Sequence, residues 1–198
     1  MTVISEYKSN QVKRCFIVTE KFTNFSDKAS EEKKNKMLQH KKLRNRYEED
    51  CASHAHLEEM ILREQVEGGM VATDALLWLR RALHFLSQFF ECIIMDSESE
   101  RATQDLVPMM QQAYSETLEP YHGWLGTQLM AAAQSLPVLQ VMSRFAPNRS
   151  DLFYTLALDH SHRDEQVLRD LRQYHQRMAA CVLQLTQFYA DHRLEDGL

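Results

Sequence analysis

The chain has 198 residues, of which 44% are apolar and 26% are charged, and its formal net charge at pH 7 is −5. This composition excludes a wholly disordered protein and, at this length, predicts one domain, alone or with an arm. No apolar run approaches the ~20 residues that cross a bilayer and no secretory leader opens the chain, so we expect a cytoplasmic protein.

Charge is divided unevenly along the chain. Residues 1–50 hold 12 Lys and Arg against 8 Asp and Glu, whereas residues 51–198 hold 11 against 20, and every lysine lies at or before Lys42. This step predicts a divergent, charged N-terminal arm over residues 1–50, typical of solvated helix or of disorder, followed by a helical domain over residues 51–198. The acidic balance argues against nucleic acid as a partner.

Apolar residues recur at helical intervals through most of the chain. The spacing predicts helices at His56–Val66, for about five turns from Thr73, from near Asp105, at Tyr121–Ser135, at Val138–Phe145, at Asp151–Leu158 and at Asp164–His192. Thr73 or Asp74 is the expected N-cap of the second helix, and Pro108 falls in the first turn of the third. The β-strand signal is nearly absent after residue 20, so the fold class is all-α.

No enzyme is expected, because the common catalytic and nucleotide-binding motifs are missing and nothing pairs a nucleophile with a base. Likewise we expect no cofactor and no metal. The two close histidine pairs, His54 with His56 and His160 with His162, point to different sides of a helix and are predicted to be surface residues. The four cysteines form no C-x-x-C pair and are predicted to be reduced thiols: Cys15, Cys51, Cys92 and Cys181.

Two segments combine aromatic, charged and small residues. In the first, Trp78 shares a helix face with Asp74 and Arg81, and in the second, His122 and Trp124 lie in the first turn after Pro120. Taken alone, these side chains also fit core packing or helix capping. Together the two segments resemble the glycolipid transfer protein family, through ATDALLWLRR at 72–81, AY at 113–114, YHGW at 121–124, AAA at 131–133 with the proline at 137, and YADHRLED at 189–196.

The resemblance implies a two-layer helical sandwich that opens to admit the hydrocarbon chains of a lipid, and intermembrane transfer of a sphingolipid without chemistry. In the family, a tryptophan at the position of Trp78 forms a platform under the first sugar ring. A histidine at the position of His122 hydrogen-bonds the amide carbonyl of ceramide. Trp124 resembles the tryptophan that dips among lipid headgroups, where an amphipathic indole is suited to the interface.

The N-terminal part departs from the family pattern. The remaining headgroup contacts come from an Asp-x3-Asn-x2-Lys motif, whose spacing here falls on Asn35, Gln39 and Lys42. Lys42 keeps the role of hydroxyl donor, but the carboxylate is lost at Asn35, and with it a charge-assisted hydrogen bond worth ~1.5–3 kcal/mol. Residues 1–34 show no counterpart of the family's first helix, so this part of the fold is expected to be incomplete or replaced by the arm.

The sequence therefore predicts a monomeric cytosolic carrier that moves a simple glycosphingolipid, such as glucosylceramide, between membranes with transient peripheral contact. Family members that carry a phosphorylated ceramide have arginine at the position of Trp78, and Asp74 would repel a phosphate. Two alternatives remain open. One is ceramide 1-phosphate transfer by the same fold, and the other is a lipid sensor or interaction module whose transfer is impaired by the change at Asn35 and Gln39.

Overall fold

The computed structural model describes residues 30–99, 101–121, 144, 146–157 and 164–196, with side chains from residue 39 onward. In chain order the helices of these ranges are α1 (Ser30–Glu49), α2 (Leu57–Val66), α3 (Val71–Ser97), α4 (Val107–Thr117), α5 (Arg149–Leu156) and α6 (Asp164–Asp191). The described part of the chain contains no β-strand, only a bridge between Asp105 and Asn148. The predicted all-α class is confirmed.

Most of the helices follow the apolar spacing closely. The predictions for α2, α5 and α6 are confirmed to within two residues at each end, and α4 begins two residues after the predicted Asp105, with Pro108 in its first turn. The predicted length of α3 is wrong, because it spans 27 residues and not five turns. The helices predicted at 121–135 and 138–145 lie, apart from Tyr121 and residue 144, outside the described residues.

The chain divides into two compact units, and unit 1 comprises the residues up to Leu83 and those from Ala180 onward. Its core joins α1, α2, α3 and the end of α6 through Leu43, Met60, Ile61, Ala72, Ala75, Leu76, Leu77, Phe188, Tyr189 and Leu194. Each large apolar side chain buried in this way contributes about 1.5–3 kcal/mol relative to exposure. The division of the chain at residue 50 remains a proposal; Leu43, on its N-terminal side, packs within this core.

Unit 2 comprises His84–Ala179. Its described helices bury apolar residues such as Phe90, whose ring meets that of Tyr174 edge-on at a centroid distance of 6.4 Å. The buried Arg149 donates to Asp96 at 3.1 Å, and Asp96 also accepts from the backbone N–H of Thr103 at 2.9 Å. One carboxylate thus joins the end of α3 to the loop that follows and to the start of α5.

The first turn of α3 is capped by a residue of another helix. The carboxylate of Glu64 in α2 is 5% exposed and accepts hydrogen bonds from the N–H of Ala72 at 2.8 Å, the N–H of Thr73 at 2.7 Å and the Thr73 hydroxyl at 2.8 Å. The prediction of Thr73 or Asp74 as N-cap is therefore wrong. Glu64 supplies the acceptor that a local cap would supply, so the helix begins earlier, at Val71.

Two glycines allow the chain to turn from α2 back against this carboxylate. Gly68 has φ of +77°, which a residue with a side chain rarely adopts, and follows the C-cap of α2. A Cβ atom on Gly69 would lie 3.0 Å from Cγ of Glu64. Both glycines are therefore needed to place Glu64 beneath the first turn of α3.

The C-terminal end of α6 closes with a Schellman motif. The N–H of Leu194 donates to the carbonyl of Tyr189 at 3.0 Å, and the N–H of Arg193 donates to Ala190 at 3.2 Å. Arg193 has φ of +49°, in the left-handed region, although it is not a glycine. The turn directs Leu194, which is 2% exposed, into the core of unit 1.

The cysteine prediction is confirmed for the three thiols that the structure describes, since Cys51, Cys92 and Cys181 are free. Burial raises the pKa of the Cys92 thiol, so it stays protonated at neutral pH. The prediction of surface histidines is wrong for His54, which is 5% exposed, with Nδ1 2.7 Å from the carbonyl oxygen of Arg46. It bonds the turn after α1 back to that helix. Cys15, His160 and His162 lie outside the described residues.

We expect Glu64→Ala to lower the free energy of unfolding by about 2–4 kcal/mol, because it leaves two buried N–H groups and a hydroxyl without an acceptor. Urea denaturation monitored by circular dichroism measures the change. Glu59→Ala, at an exposed position of the same helix, is the control and should change stability by only a few tenths of a kcal/mol. Equal effects of the two substitutions would contradict the capping role.

We expect Arg193→Gly to raise the free energy of unfolding by about 0.5–1 kcal/mol, because glycine adopts positive φ without the steric cost of a Cβ atom. Arg193→Ala is the matched control, since it removes the same exposed side chain but keeps the Cβ atom. Thermal unfolding of both variants distinguishes the two effects. Stabilisation by alanine as large as by glycine would show that the backbone conformation is not its source.

Candidate functional site

The candidate site lies where α1 faces α3 in unit 1. Nζ of Lys42, on α1, is 3.7 Å from Oδ2 of Asp74, in the first turn of α3. Their side chains are 28% and 34% exposed, so solvent screens this ion pair and it adds little to stability. The pair instead presents a donor and an acceptor side by side to the solvent.

Trp78 lies one helical turn after Asp74 on α3 and is partly buried. The guanidinium of Arg81 lies over the indole, with its central carbon 5.0 Å from the ring centroid. This distance is within the range of a cation–π interaction. The indole is thus held in orientation without being sealed beneath its neighbours.

Gln39 lies one turn before Lys42 on α1 and therefore on the same face of that helix. Its Oε1 atom is buried and has no hydrogen-bond partner in the part of the chain that the structure describes. An unsatisfied buried acceptor costs about 1–3 kcal/mol, which a donor on a ligand would recover. We refer to Gln39, Lys42, Asp74 and Trp78 as the α1–α3 corner.

The other predicted site residues lie at or beyond the edge of the described structure. The backbone of Asn35 belongs to α1, one turn before Gln39, but its side chain is not among the described ones. His122 and Trp124 lie outside the described residues. The structure thus brings Lys42 against Asp74, with Gln39 and Trp78 one turn away along α1 and α3, and leaves the proposed amide and membrane contacts as predictions.

A cluster of ion pairs lies next to Trp78 and was not found from the sequence. Nη2 of the buried Arg80 donates to Oε1 of Glu195 at 2.7 Å, and Nη2 of Arg81 lies 3.6 Å from Oε2 of the same carboxylate. The sequence similarity at residues 189–196 marked this C-terminal segment. It held no sign of the role of Glu195, because the partners are more than 100 residues apart.

Tyr189 bonds the end of α6 to the start of α3. The ring is 1% exposed, and its hydroxyl donates to the carbonyl oxygen of Thr73 at 2.6 Å. Burial raises the pKa of Tyr189 above its ordinary value, so the phenol keeps the proton that it donates. Because its folded pKa is raised, the stabilisation is fully present at neutral pH and is lost only as the pH rises above the ordinary tyrosine range.

An open polar groove of about 370 Å³ adjoins the corner at Lys42. Arg46 occupies one wall and donates to Glu49 and Glu67, both at 2.5 Å. The lining residues are Lys42, Asn45, Arg46, Glu49, Glu64, Glu67, Gly69, Val71 and Ala72. The charged side chains of this lining suit a hydrated polar group.

Two further features of the described residues bear on the kind of site present. None of the helices there combines the length and the apolar run needed to cross a bilayer. Nor does that part of the chain bring three His, Cys, Asp or Glu side chains together as metal ligands.

Comparison with known proteins gives the chain its family. The sequence model of glycolipid transfer protein (GLTP) matches residues 33–158. The chain is 35% identical over 97 residues to pleckstrin homology domain-containing family A member 8 of Danio rerio, an alignment that covers 47% of this chain and 17% of that protein. It is 31% identical over 104 residues to glycolipid transfer protein of Danio rerio, covering 52% and 45%, so it spans less than half of either relative.

Solved structures share the fold. The structure that shows how FAPP2 selects simple glycosphingolipids using the GLTP-fold has a TM-score of 0.64 and 26% identity, and the match covers 80% of this chain and 72% of that one. Mouse ceramide-1-phosphate transfer protein in its apo form has a TM-score of 0.66 at 20% identity, with coverages of 82% and 76%, which shows the fold alone. The family match over residues 33–158, together with these likenesses, establishes that the chain belongs to the glycolipid transfer protein family.

Proposed function

We propose that the chain binds a simple glycosphingolipid, such as glucosylceramide, and carries it between membranes without chemical change. The observation that carries this proposal is a partly exposed tryptophan, Trp78, one turn from the Lys42–Asp74 pair, in a chain of this family. The FAPP2 structure, whose protein selects simple glycosphingolipids, supports the same class of ligand.

The α1–α3 corner offers complementary contacts to a sugar ring. The apolar C–H face of a hexose stacks on the flat indole of Trp78, as neutral, partly apolar rings do on aromatic faces. Around the ring edge, Lys42 donates to sugar hydroxyls and Asp74 accepts from them. Both reach the same edge because their charged atoms lie 3.7 Å apart.

The same geometry favours a sugar over a phosphate. Asp74 places a carboxylate against Lys42 and would repel a second anion at that position. A ceramide 1-phosphate carrier instead needs an excess of cations around the headgroup. We therefore expect ceramide 1-phosphate to bind more weakly than glucosylceramide.

Transfer also requires an apolar cavity for the hydrocarbon chains and a contact with the bilayer. Exposing each CH₂ group of the lipid to water costs about 0.8 kcal/mol, so the carrier must bury the chains in an apolar interior that can collapse when it is empty. We assign the amide contact to His122 and the membrane contact to Trp124, in a cytoplasmic monomer that touches membranes transiently. The chain binds and releases its lipid, and no residue acts as a catalyst.

A second candidate is a module that holds a glycolipid without moving it. It is favoured by the altered pattern on α1, where Asn35 and Gln39 stand at the motif positions of an aspartate and an asparagine. The loss of the carboxylate at Asn35 weakens recognition of the ceramide amide, whose N–H is best served by a charged acceptor. Saturable binding of lipid without movement between vesicles would establish this candidate.

We expect Trp78→Ala to slow transfer of labelled glucosylceramide between phosphatidylcholine vesicles by about tenfold or more, because the sugar loses its stacking surface. Tyr47→Ala, which removes an exposed aromatic residue from α1, is the matched control and should leave transfer unchanged. Ceramide 1-phosphate is measured in parallel with the unaltered chain. Faster movement of ceramide 1-phosphate, or full activity of the Trp78 variant, would contradict the proposal.

We expect Asn35→Asp to tighten glucosylceramide binding by about tenfold or more, because it restores a charged acceptor worth ~1.5–3 kcal/mol. Gln176→Glu makes the same change from amide to carboxylate at an exposed position on α6 and should have little effect. Binding and transfer are measured for both variants. A gain in binding with no transfer would support the lipid-holding module, whereas equal gains from both variants would exclude a specific amide contact.

A further inference from the structure

We propose that Glu195 sets the headgroup selectivity of the site by countering the charge of Arg81 beside the indole of Trp78, so that neutral sugars are accepted and anionic headgroups are disfavoured. This inference rests on the proposed binding of a glycosphingolipid at Trp78. Glu195 is a positioning residue here, since it acts on the ligand through Arg81.

The contacts form a short chain from the C-terminal segment to the sugar platform. Arg81 lies over the indole at 5.0 Å, and its Nη2 atom lies 3.6 Å from Oε2 of Glu195. The Arg81 side chain is only 14% exposed, so solvent screens its charge less than it would at the surface. The guanidinium next to the platform is therefore a substantial local charge whose effect depends on its carboxylate partner.

Glu195 is held in place more firmly than its position near the end of the chain would indicate. Its neighbour Leu194 is 2% exposed in the core of unit 1 and is fixed by the Schellman motif that closes α6. The other oxygen of Glu195 accepts from the buried Arg80 at 2.7 Å. These contacts anchor the carboxylate on one side by apolar burial and on the other by a charge-assisted hydrogen bond.

Each cation around the platform contacts a carboxylate. Asp74 stands against Lys42 at 3.7 Å on one side of Trp78 along α3, and on the other side Glu195 stands against both Arg80 and Arg81. A neutral hexose gains hydrogen bonds from such pairs without an electrostatic penalty. An acidic headgroup meets a carboxylate at each pair, so removal of one carboxylate should convert the adjacent cation into an anion-binding group.

Two lipids that differ by one sulfate test this idea. Binding of galactosylceramide and of its 3-sulfated form is measured by native mass spectrometry and by changes in protein fluorescence. We expect Glu195→Gln to raise the ratio of sulfated to unsulfated binding by about three- to tenfold. Glu48→Gln is the matched control, because it removes one carboxylate from an arginine pair on the exposed face of α1 and should leave the ratio unchanged.

A second variant shows whether the effect passes through Arg81. The combination of Glu195→Gln with Arg81→Gln should return the ratio to within about twofold of the unaltered chain. Arg81→Gln alone should lower the ratio below that of the unaltered chain. The Arg81→Gln variant keeps the 2.7 Å hydrogen bond between Arg80 and Glu195. It therefore still tests the selectivity role if the Glu195→Gln variant does not fold.

The outcomes separate this inference from the proposed function. Unchanged ratios in folded Glu195 and Arg81 variants, with the unaltered chain still binding the neutral lipid, overturn the selectivity role alone. A rise of equal size in the Glu48 control overturns it as well, since the cause is then the net charge. Failure of the unaltered chain to bind either neutral glycolipid overturns the proposed function and this inference with it.

Discussion

The buried carboxylate of Glu64 is the contact on which the candidate site depends. It accepts three hydrogen bonds from Ala72 and Thr73, and Tyr189 donates to the carbonyl of Thr73 from the opposite end of the unit's sequence. The first turn of α3 is thus held through its N–H groups, a hydroxyl and a carbonyl. Asp74 and Trp78 lie on the same helix, so the position of its first turn determines where their side chains lie.

The second feature of the site is that each of its cations contacts a carboxylate. Lys42 meets Asp74, while Arg80 and Arg81 share Glu195. The partly exposed Lys42–Asp74 pair contributes little to stability, so its value lies in the polar groups that it presents to a ligand. An aromatic face bordered by such polar groups is suited to a neutral polyhydroxylated ring, whose edge makes hydrogen bonds and whose face is apolar.

Most of the helices could be predicted from local sequence patterns, whereas the contacts between distant segments could not. The spacing of apolar residues located α2, α4, α5 and α6, because a 3.6-residue period is readable within one segment. The start of α3 was misplaced because its cap comes from Glu64, and His54 was misplaced because it packs back on Arg46. The family resemblance marked Trp78, Asp74 and Lys42, but Glu195 became apparent only through its contact with residues more than 100 positions away.

The altered motif on α1 lies on a helix that packs normally. Residues 30–49 are helical, Leu43 is 4% exposed in the core, and the family match begins at residue 33. The exposed face of α1 carries charged residues, among them Arg44, which pairs with Glu48 at 2.9 Å. The helix that carries Asn35, Gln39 and Lys42 is therefore present, and in the proposed site the departure from the family motif lies in the side chains of Asn35 and Gln39. An amide in place of a carboxylate still accepts a hydrogen bond but without the charge, which lowers the affinity expected for the ceramide amide.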